Sequence, residues 1–439
     1  MTKQVLKWGW VLALALLVTA CGQLPQDPLL RDLERKSGLI VYIGPDRNIY
    51  TIDQGGSNQT AVTTDAGTDG GIVHDYRFPT WAPDAGRLAF AKISITSAGL
   101  FDAAQVYTAE PDGSGLVESF TSDKQYPIYL YWSPDSQRLS FLTSAASGSL
   151  ILQMVPAQGG EPQVLDAGNP YYWSWAPDSQ NMLVHVGGAS RTQPRARLAL
   201  LNLSQGVIEE GIELRPTEFQ APAWSPDGQR LLVAIETDQG DNALLLTDQR
   251  GADRKILKLF EGSIAFGWSP DGKRVAYTVS EGSRLGTLGS LAVIDPDEPT
   301  QARSAEGKDV IAFFWSPDSQ KVAYFELVLF EPTPEPGQAD PPSSEPIWLL
   351  KLSVLDVAGG KSHEVTTFQP SREFVGVVPY YDQYQRSATI WSPDSKNLVL
   401  SGYPIQGDPP ALGLWVVAAS GNLAPRFLTE GRLAFWSWK

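Results

Sequence analysis

A short phrase built around tryptophan recurs along this chain and constrains its fold more than any other feature. In seven copies the tryptophan is followed by Ser or Ala and then by Pro-Asp; the copies begin at Trp81, Trp132, Trp175, Trp224, Trp268, Trp315 and Trp391. The C-terminal residues 435–439 read Phe-Trp-Ser-Trp-Lys, and we interpret them as an eighth copy whose repeat tryptophan is Trp438. Most copies are 43 to 51 residues apart. A tryptophan signature at this period is typical of a β-propeller, in which each repeat forms one four-stranded blade.

Each repeat predicts four antiparallel strands, here named A to D, with the tryptophan on strand A. The phrase suits a type I turn, because Ser, Pro and Gly are favoured at its first, second and fourth positions. The Asp at its third position accepts backbone hydrogen bonds, so we interpret all seven Pro-Asp carboxylates as turn caps. Short apolar runs follow the turn, as at residues 87–90 and 230–233, and Gly-containing or Asp-containing turns separate later runs. The repeat tryptophans are expected to pack between blades.

The strand runs before the first tryptophan predict how the ring closes. Residues 39–43, 48–52 and 60–63 fit strands B, C and D of a blade without its own strand A, and residues 432–438 supply that strand. We therefore predict an all-β chain with a single β-propeller over 38–439, most simply eight four-stranded blades closed by pairing of the N- and C-terminal strands. Closure removes the exposed sheet edges of an open array. Two insertions lengthen the repeat: an acidic, proline-rich segment at 326–347 and a D-to-A connection at 368–388.

The first residues have the pattern of a targeting segment. Lys3 and Lys7 precede an apolar run over 8–19 that is too short to span a bilayer as a mature helix. The sequence Val-Thr-Ala-Cys at 18–21 resembles the lipobox of bacterial lipoproteins, which implies cleavage before Cys21 and lipid attachment to its sulfur. We predict a lipoprotein signal peptide at 1–20 and a lipidated cysteine with its tether at 21–37. The alternative is an ordinary secretory peptide in which the cysteine occurs by chance.

Composition narrows the function classes. The formal net charge of −15 makes the chain a poor electrostatic match for nucleic acid, and no basic cluster offsets it, so we predict no nucleic-acid partner. Cys21 is the only cysteine, which excludes a disulfide framework within the chain. Three histidines lie far apart in the sequence, and no Gly-x-Ser-x-Gly motif is present. We predict no catalytic, cofactor-binding or metal site.

The Trp-Ser-Pro-Asp phrase, which ends in Gly at 224–228 and 268–272, resembles the blades of periplasmic TolB-type propellers. The resemblance covers about residues 38–438 and implies the propeller fold and protein–protein interaction. TolB-type proteins have six blades and an additional amino-terminal domain, whereas the repeat here predicts eight blades and no such domain. The same blade type occurs in propellers that gate prolyl-oligopeptidase-like enzymes.

Extra residues collect on one face of the predicted ring. The A–B turns are nearly uniform in length, whereas the B–C and D–A connections on the opposite face vary. Because Tyr and Arg are enriched at protein interfaces, we select as candidate partner-binding residues on that face Tyr76, Arg77, Tyr380, Tyr381, Tyr384 and Arg386. The sequence thus predicts a lipid-anchored, non-catalytic protein-binding or scaffold propeller of a bacterial cell envelope, outside the cytoplasm. A carbohydrate- or peptide-binding propeller, or a hydrolase or lyase with a channel-centred site, are the alternatives.

Overall fold

The computed structural model describes residues 37–217, 220–280, 289–305, 307, 309–330, 347–405 and 412–439. The predicted signal peptide, Cys21, the tether up to residue 36 and the proline-rich centre of the 326–347 insertion lie outside these ranges.

Antiparallel strand pairing divides the described chain into eight blades. Blade 1 consists of β1 (Ile40–Ile43), β2 (Ile49–Ile52), β3 (Thr60–Ala61) and the C-terminal β32 (Leu433–Trp436). Blade 2 consists of β4 (Gly67–Asp69), β5 (Ile72–Trp81), β6 (Leu88–Thr96), β7 (Phe101–Ala109) and β8 (Val117–Ser122). Blade 3 consists of β9 (Gln125–Trp132), β10 (Arg138–Ala145), β11 (Leu150–Pro156) and β12 (Gln163–Gly168). Blade 4 consists of β13 (Tyr171–Trp175), β14 (Asn181–Val186), β15 (Arg197–Asn202) and β16 (Ile208–Ile212).

The second half of the ring repeats the pattern. Blade 5 consists of β17 (Ala223–Trp224), β18 (Arg230–Glu236), β19 (Asn242–Asp248) and β20 (Lys255–Phe260). Blade 6 consists of β21 (Ser263–Trp268), β22 (Val275–Ser280), β23 (Ser290–Ile294) and β24 (Arg303–Ser304). Blade 7 consists of β25 (Val310–Trp315), β26 (Lys321–Phe330), β27 (Ile347–Asp356) and β28 (Lys361–Pro370). Blade 8 consists of β29 (Asn397–Pro404), β30 (Gly413–Ala418) and β31 (Arg426–Glu430), with Trp391 bridged to Leu398 in the place of strand A. Pairing of β28 with β29 joins blades 7 and 8 into one sheet.

The two ends of the chain close the ring in blade 1. Strands β1 and β32 pair antiparallel, from Ile40 opposite Trp436 to Ile43 opposite Leu433. The backbone N–H of Trp436 also donates to the carbonyl of Thr389 in blade 8, at 2.9 Å. The predicted eight-bladed fold and its closure by terminal strand pairing are confirmed. The fold is a β-propeller.

The eighth repeat tryptophan is Trp436, and our assignment of Trp438 is wrong. In blade 3, Ser133 and Arg138 are joined twice, through Ser133 N–H to the carbonyl of Arg138 and through Arg138 N–H to Ser133 Oγ. Ser437 makes the same pair of bonds with Leu39, at 2.7 and 2.9 Å. The residue before this serine is the repeat position, and Trp436 there is fully buried. Trp438 lies beyond β32 and is only half-buried.

The repeat tryptophans join neighbouring blades, as their size predicts. The indole N–H of Trp391 donates to the carbonyl of Phe314 in blade 7, at 2.9 Å, and that of Trp81 donates to Phe435 in blade 1, at 3.3 Å. The guanidinium of Arg138 in blade 3 lies over the ring of Trp175 in blade 4, 5.4 Å from the ring centre. Indole hydrogen bonds link blades 7 and 8 and blades 1 and 2, and a cation–π contact links blades 3 and 4.

The A–B turns form a uniform rim, named here the turn rim, around one face of the ring. Each Pro-Asp carboxylate accepts a hydrogen bond from the backbone N–H two residues later; the carboxylates are those of Asp84, Asp135, Asp178, Asp227, Asp271, Asp318 and Asp394. The hydroxyl of Ser225 holds the pKa of Asp227 below its usual value, with help from the backbone N–H of Gln229. These bonds lie within the turns, so the predicted capping role is confirmed.

Candidate functional site

The D-to-A connection after β28 fills the centre of the ring with three short helices. These are α1 (Arg372–Val377), a 3₁₀ helix (Val378–Tyr380) and α2 (Tyr381–Ser387), together named the central plug. The hydroxyl of Ser371 starts α1 by accepting the N–H of Phe374 at 3.1 Å, as an N-cap residue does. The prediction of a long connection here is confirmed, but its helical structure was not predicted.

Helix α2 is fastened to the inner edge of blade 5 by a buried acid and a half-buried base. A carboxylate oxygen of Asp382 accepts the backbone N–H of Ala221 at 3.0 Å. One turn later, Arg386 donates to the carbonyls of Ala221, at 3.1 Å, and of Pro222. Burial raises the pKa of Asp382 and lowers that of Arg386, because both charged forms lose water. The backbone bonds and the opposite charge offset part of that loss.

Tyrosines of α2 are packed against strands on both sides of the ring. The Tyr381 hydroxyl lies 2.9 Å from that of Thr278 in blade 6. The Tyr384 ring meets the Tyr129 ring of blade 3 edge to face, with centres 5.1 Å apart. Tyr129 in turn donates its hydroxyl to the carbonyl of Gln383 at 2.9 Å. Tyr381 and Tyr384 are 1% and 9% exposed, so they belong to the core of the propeller.

Two other predicted residues lie in blade 2. Tyr76 is 3% exposed, and its hydroxyl donates to Asp65 at 2.7 Å. Arg77 is partly exposed, forms an ion pair with Asp75 at 2.8 Å and donates to the hydroxyl of Tyr126 at 2.7 Å.

Four of the six candidate partner-binding residues therefore do not offer an accessible surface. Tyr76, Tyr381 and Tyr384 are buried, and Arg386 is committed to backbone carbonyls inside the ring. Their selection as surface anchors is wrong, because the connection that carries most of them folds inward. Tyr380, half exposed on the outer side of the plug, and Arg77 stay candidates.

The B–C and D–A face also carries a group of exposed apolar side chains that the sequence did not lead us to select. Strands β26 and β27 continue into the predicted 326–347 insertion, where Leu329 pairs with Trp348 and Phe330 with Ile347. These four side chains are 45%, 53%, 45% and 36% exposed, respectively, and we name them the blade 7 apolar tip. Both strands have ten residues, whereas β18 and β19 in the same positions of blade 5 have seven. The tip therefore lies at the end of strands that are longer than those of blade 5.

The opposite side of the plug faces a funnel bounded by the turn rim. Its cavity of about 470 Å³ is lined by prolines and tryptophans of several repeats, with Trp438 among them and Gln385 and Arg386 of α2. Most of the residues that line this cavity belong to the repeated phrase and already have a structural role in its turns.

The described ranges contain no cluster of three His, Cys, Asp or Glu side chains able to hold a metal. His74, His185 and His363 lie in blades 2, 4 and 7. His185 is fully buried, with its two ring nitrogens 3.0 and 2.9 Å from the carbonyls of Gln220 and Gly188. Within those ranges no helix has the length and apolar character needed to span a membrane.

Comparison with known proteins finds local sequence similarity and a shared fold. A stretch of 67 residues is 42% identical to the Tol-Pal system protein TolB of Anaeromyxobacter sp. (strain K), and TolB of two Anaeromyxobacter dehalogenans strains matches equally. The match covers 15% of this chain and 15% of the curated relatives' length, much less than the predicted resemblance. No protein-family profile matches the sequence.

Solved structures resemble the chain over most of its length. A eukaryotic initiation factor superposes with a TM-score of 0.50 and 13% identity over 92% of this chain and 98% of its own. TolB from Acinetobacter baumannii does so with a TM-score of 0.37 and 16% identity over 83% and 82%. At such identities the likeness concerns the fold alone. The fold and the short TolB-like stretch are thus what the comparisons support.

Proposed function

We propose that this protein is a lipid-anchored, non-catalytic propeller of a bacterial cell envelope that binds a protein partner through its B–C and D–A face. The blade 7 apolar tip carries the proposal. Large apolar side chains exposed together on a soluble surface are typical of protein interaction sites. Leu100, Val375, Tyr380 and Ile405 are also exposed and lie in B–C or D–A connections. The A–B turns of the turn rim, all within the described ranges, contain no comparable group of large exposed apolar side chains.

The filled centre of the ring favours binding over channel-centred catalysis. Blades 2 to 7, or the segments that lead into them, contact the central plug, which occupies the middle of the ring in place of an open channel. A catalytic role would also need a positioned nucleophile and base, and the three histidines sit on separate blades. The hydrolase or lyase alternative is accordingly the weaker one.

The envelope location rests on the lipobox-like residues 18–21 and on the short similarity to a Tol-Pal system protein. We expect Cys21→Ser to release the protein from the membrane fraction or to block its maturation, measured by fractionation and detergent phase partitioning. Identical partitioning of wild type and variant into the soluble phase would contradict the anchor.

Partner binding is tested by affinity capture from detergent-treated cells followed by identification of the captured protein. The double variant Leu329→Ser, Trp348→Ser should reduce capture of a specific partner at least about tenfold, since interface anchors contribute about 2 kcal/mol each. The matched control is Ile256→Ser, Leu259→Ser, which removes equally exposed apolar side chains from β20 on the outside of blade 5. Equal loss in both double variants would contradict a specific role of the tip.

A further inference from the structure

A cavity of about 450 Å³ on the B–C and D–A face gathers four arginines in a chain of net charge −15. It lies between blade 1, blade 2 and helix α1, and its arginines are Arg47, Arg77, Arg372 and Arg432. Asp75 and Glu373 are the acidic residues of its wall. Four cations against two anions leave an excess of positive charge at this one place.

Two of the arginines are neutralised and two are not. Arg77 pairs with Asp75 at 2.8 Å, and Arg432 lies 3.6 Å from Glu373 and donates to the carbonyl of Pro45 at 3.0 Å. Within the described ranges, the guanidinium groups of Arg47 and Arg372 have no hydrogen bond or ion pair. Arg47 is only half-buried and Arg372 is exposed, so both side chains can approach a ligand in the cavity. Guanidinium groups bind carboxylate and phosphate oxygens with paired hydrogen bonds.

A bulge in β5 shapes the wall between this cavity and its neighbour. The register of β5 shifts between Arg77 and Thr80, and Phe78 there has a left-handed φ of 57°. The bulge thus lies in the wall of the arginine cavity, which both Arg77 and Phe78 border. A left-handed phenylalanine is an uncommon backbone state, and such states concentrate at binding sites.

The neighbouring pocket is aromatic. Its cavity of about 510 Å³ shares Phe78, Gly376 and Tyr384 with the arginine cavity. Tyr129 and Trp173 are among its other walls. The arginine cavity and this aromatic pocket therefore adjoin at Phe78, on the B–C and D–A face.

We infer that the arginine cavity binds an oxyanion, carboxylate or phosphate, carried by a ligand whose apolar or aromatic part occupies the adjoining aromatic pocket. Arg47 and Arg372 supply the uncompensated charge, and Arg77 and Arg432 are held in place by their acidic partners. The inference does not depend on the blade 7 apolar tip, because its four residues line neither cavity. Arg77 and Tyr380, the two remaining candidate partner-binding residues, line the arginine cavity and the aromatic pocket, respectively.

Isothermal titration calorimetry on the purified full-length protein tests this with four probes at low ionic strength. N-acetyl-phenylalanine combines a carboxylate with an aromatic ring, its amide lacks the charge, phenyl phosphate carries the other oxyanion, and inorganic phosphate lacks the ring. We expect the charged aromatic probes to bind, the amide to bind at least about tenfold more weakly, and salt to weaken the binding. The tighter of the two charged aromatic probes identifies which oxyanion the cavity prefers.

The variant Arg47→Gln, Arg372→Gln should weaken the charged probes at least about tenfold with an unchanged melting temperature, since neither guanidinium supports the fold. Arg250→Gln, an exposed arginine in a turn of blade 5, is the matched control and should bind as wild type does. Equal binding of acid and amide, no binding of either charged aromatic probe, or full binding by the double variant overturns the inference.

Discussion

The two faces of this propeller differ in regularity: the A–B turns are alike in blades 2 to 8, whereas the B–C and D–A connections differ. On the turn rim, Ser or Ala, Pro and Asp form the same hydrogen-bonded turn in successive blades. The opposite face contains the central plug, a fifth strand on blade 2, the extended hairpin of blade 7 and the two adjoining cavities. The rim is specified by neighbouring residues in the sequence, whereas the other face is specified by contacts between distant blades. Uniformity indicates a structural role, and irregularity locates the candidate sites.

The largest effect is expected where the ring closes. Trp436→Ala removes a fully buried indole from β32 and should cost about 3–5 kcal/mol of stability or cause aggregation. Trp438→Ala, two residues later, should cost much less because that side chain is half-buried and lies outside the strand. Chemical denaturation of both variants measures the difference. Equal losses would mean that Trp438 shares the repeat role.

A second pair of variants compares the inside and outside of the central plug. Tyr381→Ala should lower the free energy of unfolding by about 3 kcal/mol or more, because a fully buried ring and its bond to Thr278 are lost. Tyr380→Ala changes the adjacent residue, which is half exposed, and should stay within about 0.5 kcal/mol of wild type. A stable Tyr381→Ala protein would indicate that the plug is not part of the core.

Among the residues with a structural role, the smallest effect is expected on the turn rim. Ser319 adopts a left-handed φ of 60°, and its hydroxyl accepts the N–H of Asp271 from the preceding blade at 3.0 Å. Ser319→Ala should cost about 1–2 kcal/mol, because the hydrogen bond is lost while the strained backbone stays. Ser319→Gly should cost less, because glycine relieves the strain and occurs naturally at the same position as Gly228 and Gly272. Thermal unfolding ranks the two; the reverse order would contradict the turn assignment.

The repeated part of the fold could be predicted because its information is local. Seven copies of one turn, each beside an apolar run, predict the strand order, and the incomplete eighth copy at the C-terminus predicts the closure. The eighth tryptophan was misassigned because Trp436 and Trp438 are two residues apart, and both fit one face of a strand. The serine at 437 was the signal that distinguishes them, since it bonds to Leu39 as the other repeat serines bond across their turns.

The candidate site could be predicted only as a face. Helices as short as α1 and α2 are not stable on their own, and the plug is held by blades that are up to about 300 residues away in sequence. Tyr381 and Tyr384 are three residues apart, and this spacing places both on one side of a helix. The spacing does not show whether that side faces the core or the solvent. The blade 7 apolar tip left a usable signal, because apolar residues flank the proline-rich insertion on both sides.

Photo-crosslinking in intact cells tests the difference between the two faces most directly. A photoreactive amino acid at Trp348 or Tyr380 samples the B–C and D–A face. The same group at the exposed Gln180 or Gln320 samples the turn rim. We predict one recurrent covalent adduct, the same for Trp348 and Tyr380, and none from either glutamine position. Adducts formed from Gln180 and Gln320 but not from Trp348 or Tyr380 would place recognition on the turn rim and contradict the account.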